Sequence, residues 1–277
     1  MRIGEIEVLP LIDGEILGPP EYMYPDVPEA ELARANPFLD PQSRAFVYTI
    51  GAYALVMPGD RLVLVDAGIG PLPTPPSSGG GLRSALLAWG FEPADVTDVV
   101  FTHLHFDHIG WATQNGEPFF PNATFHADRR DWDHYMAPDY RHAEFELRAT
   151  NVTTDAAGVR LAPIADRIQL WEGTAPVLPG LSAVDAAGHS PGTVLLMIES
   201  ADERGALLGD IAHAIPELLH GWSFRSHGDP ETAVRSMIRV RDFLAAEAVP
   251  CSGSHFPGLQ WGYVRHTEEG YQWEEII

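Results

Sequence analysis

The stretch VTDVVFTHLHFDH (residues 96–108) runs from an apolar segment directly into three histidines and an aspartate. Its first six residues are typical of a buried strand. His103 and His105 are two positions apart, so an extended backbone points both side chains the same way, and Asp107 and His108 follow in the next turn. These groups suit zinc or a similar divalent ion. If they were buried without a metal, their polar atoms would lack hydrogen-bond partners. The stretch therefore predicts a metal site at the end of a strand.

The N-terminal part of the chain predicts β-structure interrupted by an irregular segment. A strand-like run at Ile6–Ile12 is followed by the turn signal Asp13-Gly14. From about 13 to 44 the composition becomes rich in Pro, Glu and Ala, which predicts an irregular arm around a short helix at Glu29–Asn36. Two apolar runs within Phe46–Val65 then flank a tight turn and predict a hairpin.

Strand-like and helix-like segments are mixed along the rest of the chain. Pro71–Gly81 predicts a loop, and Glu231–Ala246 is the clearest amphipathic helix. A polar helix is predicted at Asp128–Tyr135, and its acidic and histidine residues (Asp131–His134) are expected to fan out over a solvated face. No repeat and no break in composition is visible, so we expect one α/β domain over residues 1–277.

Charge and composition exclude several classes of partner. The 277 residues contain 17 Lys and Arg against 39 Asp and Glu, a formal net charge of −22. This field repels nucleic-acid phosphates and anionic bilayers. No apolar run is long enough to span a membrane, and the first residues lack the apolar core of a secretory signal. Because the single cysteine, Cys251, cannot form an internal disulfide, we expect a cytoplasmic protein.

Five short motifs occur in an order that resembles a known family. They are Asp66-Ala67-Gly68 after an apolar run, the histidine-rich stretch 103–108, Gly188–Gly192 (GHSPG), Gly209-Asp210, and a late His255. Together they span most of the chain between 44 and 262, and in this order they resemble the metallo-β-lactamase superfamily. The resemblance implies an αββα sandwich, two β-sheets flanked by helices, with the site at one edge of the sheets.

The resemblance also implies seven ligands in two groups that share one carboxylate. They are His103, His105 and His189 for one ion, Asp107, His108 and His255 for the other, and Asp210 as the bridge between them. Asp66 matches a position that orients ligands without binding metal. Each group leaves an open coordination position, as catalytic rather than structural zinc sites do. We therefore expect two divalent ions per chain, Zn²⁺ first, with Fe, Mn or Co as alternatives.

The implied chemistry is hydrolysis of an ester. Two ions about 3.5–4 Å apart can share a hydroxide, lower its pKa towards neutrality and direct it at a carbonyl or phosphoryl centre. By resemblance, Asp107 orients this nucleophile or passes a proton, and Asp210 holds the two ions together. Asp107 and Asp210 are therefore the predicted catalytic carboxylates.

Two branches of the superfamily remain as sequence-based alternatives. The wording HLHFDHIG at 103–110 resembles the quorum-quenching lactonases, which open acyl-homoserine lactones. Those enzymes commonly carry a tyrosine three residues after the bridging aspartate, where this chain has His213. GDIAH (209–213) and HFPG (255–258) resemble more closely the methyl-parathion-hydrolase-like branch of aryl esterases and phosphotriesterases. A lactone is the first choice of substrate, and His213, Phe106 and Trp111 are the candidate pocket residues.

Two functional hypotheses of other classes stay open, beside an expectation about the remaining histidines and a possible assembly. A catalytically idle metal-binding module would retain the fold and ligands without turnover. A redox enzyme with a single iron would use only part of the ligand set. The remaining histidines, including His126 and His227, have no ligand spacing to the main set and are expected to take no part in it, and a homodimer is an open possibility.

Overall fold

The computed structural model describes residues 1–72 and 77–276, and most predicted elements occur in it. Its strands, in chain order, are β1 Arg2–Ile3, β2 Ile6–Gly18, β3 Phe46–Met57, β4 Arg61–Val65, β5 Ser77–Ser78, β6 Asp98–Val100, β7 Thr113–Gln114, β8 Glu117–Pro118, β9 Thr124–Asp128, β10 Ile168–Trp171, β11 Ala175–Leu178, β12 Leu181–Asp185, β13 Val194–Ser200, β14 Glu203–Leu207, β15 Cys251–Ser252, β16 Gly262–Thr267 and β17 Gly270–Glu275. The predicted loop Pro71–Gly81 is only partly described, since 73–76 lie outside these residues.

The helices are mostly short. The α-helices are α1 Pro20–Met23, α2 Glu29–Leu32, α3 Leu82–Ala88, α4 Phe106–Ile109, α5 Arg129–Tyr135, α6 Glu144–Ala149, α7 Val152–Asp155, α8 Ala157–Arg160, α9 Ile215–His220 and α10 Pro230–Glu247. Short 3₁₀ turns occur at Ala33–Phe38, Pro93–Asp95, Ala162–Arg167, Gly209–Ile211 and Pro257–Leu259. Within residues 1–72 and 77–276, no helix combines the length and the apolar character needed to cross a membrane.

Two large sheets carry the fold. In the described residues the first sheet has the order β1-β2-β3-β4-β6-β9-β10, with β5 paired to β2, and the second runs β11 to β17 in chain order. The pairs β4–β6, β6–β9, β9–β10 and β14–β15 are parallel. The carboxyl ends of parallel strands meet at one edge of a sheet, so the loops that follow them are brought together there.

Side chains alternate along the strands between different cores, as the period of two requires. In β4, Val63 and Val65 face the second sheet, whereas Leu62 and Leu64 face the helices outside the first sheet. A third core packs the outer face of the second sheet against α9 and α10. Each fully buried valine or leucine side chain in these cores contributes about 1.5–3 kcal/mol to stability. The resulting helix–sheet–sheet–helix arrangement is the predicted αββα sandwich.

Strand β2 departs from the prediction that it ends at Ile12. It continues to Gly18, with a shift in register between Ile12 and Gly14. The irregular arm therefore begins later than the predicted position 13. Asp13 is the residue at this bulge, and its side chain turns into the protein, where it is only 4% exposed.

The Asp13 carboxylate explains why the strand bulges instead of ending. It accepts hydrogen bonds from the backbone N–H groups of Ile69 and Gly70, each at 2.8 Å, and from the indole Nε1 of Trp111 at 2.8 Å. It also accepts from the backbone of Gly80 and Leu82. Asp13-Gly14 is thus the signature of a bulge that ties the loop after Asp66 to its neighbours.

Candidate metal centre

The loops that follow the inner strands bring the motif residues to one edge of the sandwich. Asp66 comes directly after β4, and the segment 103–108 follows β6. His105 is the residue before α4, so Asp107 and His108 lie in the first turn of this short helix. The second sheet contributes His189 before β13, Asp210 after β14 and His255 after β15. Both sheets therefore supply residues to the same site.

The first group consists of three histidines and Asp210, all buried, whose nitrogen and oxygen atoms lie within 4.8 Å of one another. His105 Nδ1 is 3.0 Å from His103 Nε2 and 2.8 Å from His189 Nε2. Asp210 Oδ2 is 3.2 Å from His189 Nε2 and 3.7 Å from His103 Nε2. The three imidazoles and one carboxylate oxygen thus surround a common point.

The second group consists of Asp107, His108 and His255, and their ligand atoms also lie within 4.8 Å of one another. The other oxygen of Asp210, Oδ1, is 3.1 Å from His108 Nε2 and 3.2 Å from His255 Nε2. Asp107 Oδ2 is 3.5 Å from His255 Nε2. One oxygen of Asp210 therefore faces each group, which is the geometry of a bridging carboxylate.

These spacings fit divalent ions of the zinc type. Ligands about 2.0–2.1 Å from a tetrahedral ion lie about 3.3 Å from one another, and the distances around Asp210 are 3.1 to 3.7 Å. Although His108 Nε2 and Asp210 Oδ1 are 3.1 Å apart, both are buried and neither has a hydrogen-bond partner of suitable geometry in the described part of the chain. Orphaned polar atoms of this kind are costly unless something binds them. The donor set and its spacing are therefore suited to two metal ions.

The electrostatics of the site also favour cations. Burial, reinforced by neighbouring imidazoles, holds the pKa of His103 and of His105 well below the usual value, and neutral rings are the form that binds metal. Burial acts against a charge on His108 too, but Asp210, Asp66 and Asp107 outweigh it and hold its pKa well above the usual value. This excess of negative charge around His108 is what a metal ion would neutralise.

Partners outside the two groups fix the orientation of several rings. His108 Nδ1 is 2.8 Å from Asp66 Oδ2, and Asp66 also accepts from the backbone N–H of Thr102. His255 Nδ1 donates to the carbonyl oxygen of Thr49 at 2.7 Å. In both rings Nε2 is left to face the site, as outer partners of metal-binding histidines commonly arrange. Asp66 thus lies where an orienting residue is expected.

The prediction that Asp131 lies on a solvated helix face is wrong. Asp131 is fully buried, and its carboxylate accepts from the backbone N–H groups of Leu104 and Gly192 and from the hydroxyl of Ser190. Burial outweighs these hydrogen bonds and raises its pKa to about 6. One carboxylate therefore joins the loop of His103 and His105 to the loop that holds His189. Its sequence neighbourhood gives no sign of these distant partners.

His227, predicted to take no part in the site, is in contact with it. His227 Nδ1 lies 3.1 Å from Nδ1 of His189 and its side chain is buried. Glu217, which the sequence did not single out, contacts His227 and His213 and is fully buried. His227 is 38 residues from His189 in the chain, so no local spacing links the two, whereas Glu217 lies four residues after His213. His126 instead pairs with Asp98 at 2.9 Å, within the first sheet.

A pocket of about 230 Å³ opens onto the two groups. Its base includes His105, Asp107, His189, Asp210, His213 and His255. The rest of its lining is largely apolar. It includes Ile16, Met23, Tyr48, Phe106, Phe145 and Phe224, beside the charged residues Glu144, Arg148 and Arg225. The pocket therefore presents polar reactive groups at the bottom and an apolar surface above them, as small-molecule sites generally do.

Two of the three predicted pocket residues line the pocket. His213 and Phe106 line the pocket. Trp111 is not among the described residues that line it, which corrects the prediction. Its indole is 7% exposed, donates to Asp13 and packs against Phe119. A hydrogen-bond partner inside the protein therefore turns Trp111 away from the site.

The fold and site together define a metal-binding αββα protein. Residues 49–252 match the family model described as the metallo-beta-lactamase superfamily. This match covers well over half of the chain, so the chain belongs to the metallo-β-lactamase superfamily. The predicted family and fold class are confirmed.

Relatives of known sequence include several acyl-homoserine lactonases. The N-acyl homoserine lactonase AttM of Rhizobium radiobacter is 40% identical over 201 residues, which cover 69% of this chain and 69% of AttM. The N-acyl homoserine lactonase AiiA of Bacillus thuringiensis subsp. kurstaki is 27% identical over 158 residues, or 57% of this chain and 55% of AiiA. The chain thus spans about half the length of AiiA and similar relatives.

Solved structures show the same fold along the whole chain. AidC, described as a dizinc quorum-quenching lactonase in complex with a product, superposes with a TM-score of 0.86 at 22% identity, covering 100% of this chain and 96% of AidC. The hydrolase AbOPH superposes with a TM-score of 0.88 at 22% identity, with the same coverage. At this identity the likeness shows the fold alone.

We expect Asp210→Asn to weaken both metal positions, because an amide presents only one oxygen and no charge to the two groups. Retained metal should fall from two ions per chain to fewer than one, measured by elemental analysis after gel filtration. Asp133→Asn, an exposed helix position, is the control. Two retained ions in Asp210→Asn would show that Asp210 is not the bridge.

Proposed function

We propose that this protein is a hydrolase that opens an ester bond with the help of two divalent metal ions, most simply Zn²⁺. The observation that carries the proposal is the placement of Asp210, whose two carboxylate oxygens face two separate groups of buried donors. His103, His105 and His189 would hold one ion and Asp107, His108 and His255 the other. Two such ions supply a nucleophile at neutral pH and polarise the bond to be cleaved.

Residues of the chain would then position the substrate and move the proton. Asp107 lines the pocket, and its side chain is 12% exposed, more than that of Asp210 at 4%. It can therefore reach both water and substrate. In the proposed reaction Asp107 accepts the proton of the attacking water and delivers it to the leaving alcohol oxygen. The products are a carboxylic acid and an alcohol, which remain joined when the substrate is a lactone.

A lactone with an apolar acyl chain is the proposed substrate. The apolar walls above a polar base suit a molecule with a reactive ester at one end and a hydrocarbon chain at the other. The relatives AttM and AiiA are N-acyl homoserine lactonases, which supports the same substrate class. The second candidate is an aryl ester or phosphotriester. His213, stacked on Phe224 with ring centroids 3.6 Å apart, favours it because flat rings line this side of the pocket.

A small-molecule substrate and a location in the cytoplasm are also part of the proposal. The formal net charge of −22 opposes binding to nucleic acid or to an anionic membrane. The single cysteine, Cys251, is buried and unpaired, which is compatible with a reducing compartment such as the cytoplasm. A homodimer is the proposed assembly still to be tested, and light scattering distinguishes it from a chain of 30.3 kDa.

A substrate panel tests the proposed activity. Acyl-homoserine lactones of increasing chain length, simple lactones, aryl esters and paraoxon are compared by kcat/KM beside elemental analysis. We expect the acyl-homoserine lactones to give the highest values, and dialysis against a chelator to abolish turnover until Zn²⁺ is restored. Higher values for aryl substrates would favour the methyl-parathion-hydrolase-like alternative. Two bound ions without any turnover would indicate an idle metal-binding module, and one iron with oxygen uptake would indicate a redox enzyme.

A pocket variant tests where the acyl chain lies. Phe145 in α6 lines the pocket and is 5.0 Å from the His105 ring between centroids. Phe145→Ala should raise KM for a decanoyl lactone about tenfold, since the lost apolar contact is worth ~1–2 kcal/mol, and should change KM for a butanoyl lactone much less. Phe243→Ala, on the exposed side of α10, is the matched control. Equal effects on both lactones would contradict an acyl wall at Phe145.

A further inference from the structure

One buried glutamate is connected to the first group of metal-binding candidates through two histidines. Glu217 in α9 is fully buried. Its Oε2 accepts from the Tyr24 hydroxyl at 3.0 Å and from the backbone N–H groups of His213 at 2.7 Å and Ala214 at 3.3 Å. In the described part of the chain its ion-pair partners are two histidines and no lysine or arginine. Burying a carboxylate costs free energy unless hydrogen bonds and opposite charges compensate for the lost water, so these contacts are what stabilise Glu217 in the interior.

The second oxygen of Glu217 faces both of those histidines. Glu217 Oε1 is 3.3 Å from His213 Nδ1 and 3.7 Å from His227 Nε2. Each histidine then reaches a member of the first group with its other nitrogen. His213 Nε2 is 3.2 Å from Asp210 Oδ2, and His227 Nδ1 is 3.1 Å from His189 Nδ1. Two chains of polar contacts therefore begin at one carboxylate and end on Asp210 and His189. The Glu217–His213 and His227–His189 links have hydrogen-bond geometry, and the other two are ion-pair contacts shorter than 4 Å.

Apolar contacts restrict the two intermediate rings to these directions. His213 is stacked on Phe224, with ring planes 14° apart, and is nearly parallel to the ring of His255. His227 lies within 6.2 Å of Phe224 between ring centroids, in an edge-on arrangement. Because packing limits their rotation, the orientation of Glu217 is transmitted to the far nitrogens of both rings.

We propose that Glu217 is a positioning residue that aims Asp210 and His189 at the first metal position through His213 and His227. This rests on the proposed two-metal function. Outer carboxylates that orient a metal-binding histidine typically change metal affinity by about 10–100-fold when they are removed. Glu217 would serve two ligands at once, and both belong to the same group. Its loss should therefore affect the first position more than the second.

The test compares Glu217→Gln with Glu146→Gln. Glu146 is a matched control, because it is also a buried glutamate that accepts from a tyrosine hydroxyl (Tyr140) and from a backbone N–H, but it contacts neither group. Each purified protein is stripped of metal and titrated with Co²⁺, and binding is followed by the visible absorption of the cobalt centre. We expect Glu217→Gln to weaken one of two binding steps about 10–100-fold and to leave the other within threefold. Glu146→Gln should bind as the unaltered protein does.

A second variant keeps the proposal testable if Glu217→Gln does not fold. His227→Phe retains ring volume and removes the contact with His189, so it should weaken the same cobalt-binding step. Unchanged binding of two cobalt ions in folded Glu217→Gln, or in His227→Phe, would overturn the proposal. Failure of the proposed function has a different signature. The unaltered protein would then hydrolyse no ester, while the selective effect on cobalt binding would persist.

Discussion

The arrangement of the site depends on one buried group, the carboxylate of Asp210. It is buried among four imidazoles from the two groups and a fifth from His213, and burial alone would raise its pKa. The surrounding rings, His108 first among them, instead hold that pKa well below the usual value. A fixed negative charge with one oxygen towards each group is the feature that makes two neighbouring cation sites possible.

The arrangement of the two sheets brings the two groups of metal-binding candidates together. The first sheet places 103–108 after a central parallel strand, and the second sheet places Asp210 and His255 after the parallel pair β14 and β15. Burial of the inner faces of both sheets fixes their separation, because close-packed cores resist small shifts. Asp13 and Asp131 then tie the loops to each other with backbone hydrogen bonds. Packing and buried carboxylates therefore share the task of positioning the site.

Local patterns in the sequence predicted the elements and the main ligand candidates, whereas contacts between distant segments stayed hidden. The spacing of His103 and His105 is a short-range signal, and the motif order supplied the fold through family resemblance. Asp131 and His227 meet the site only after folding, since Asp131 contacts Leu104 27 residues away and His227 contacts His189 38 residues away. Glu217 is four residues from His213, but its bond to Tyr24, 193 residues away, also forms only in the fold. The same holds for Asp13 and Trp111, where the pairing of a bulge with an indole reversed two local predictions.

We propose that one chain holds two metal ions that share Asp210. Anomalous diffraction from crystals grown with Zn²⁺, recorded on both sides of the zinc absorption edge, tests it most directly. We expect two peaks about 3.5–4 Å apart, with an oxygen of Asp210 next to each. One should lie beside His103, His105 and His189, and the other beside Asp107, His108 and His255. A single peak, or two peaks that do not both contact Asp210, would contradict it.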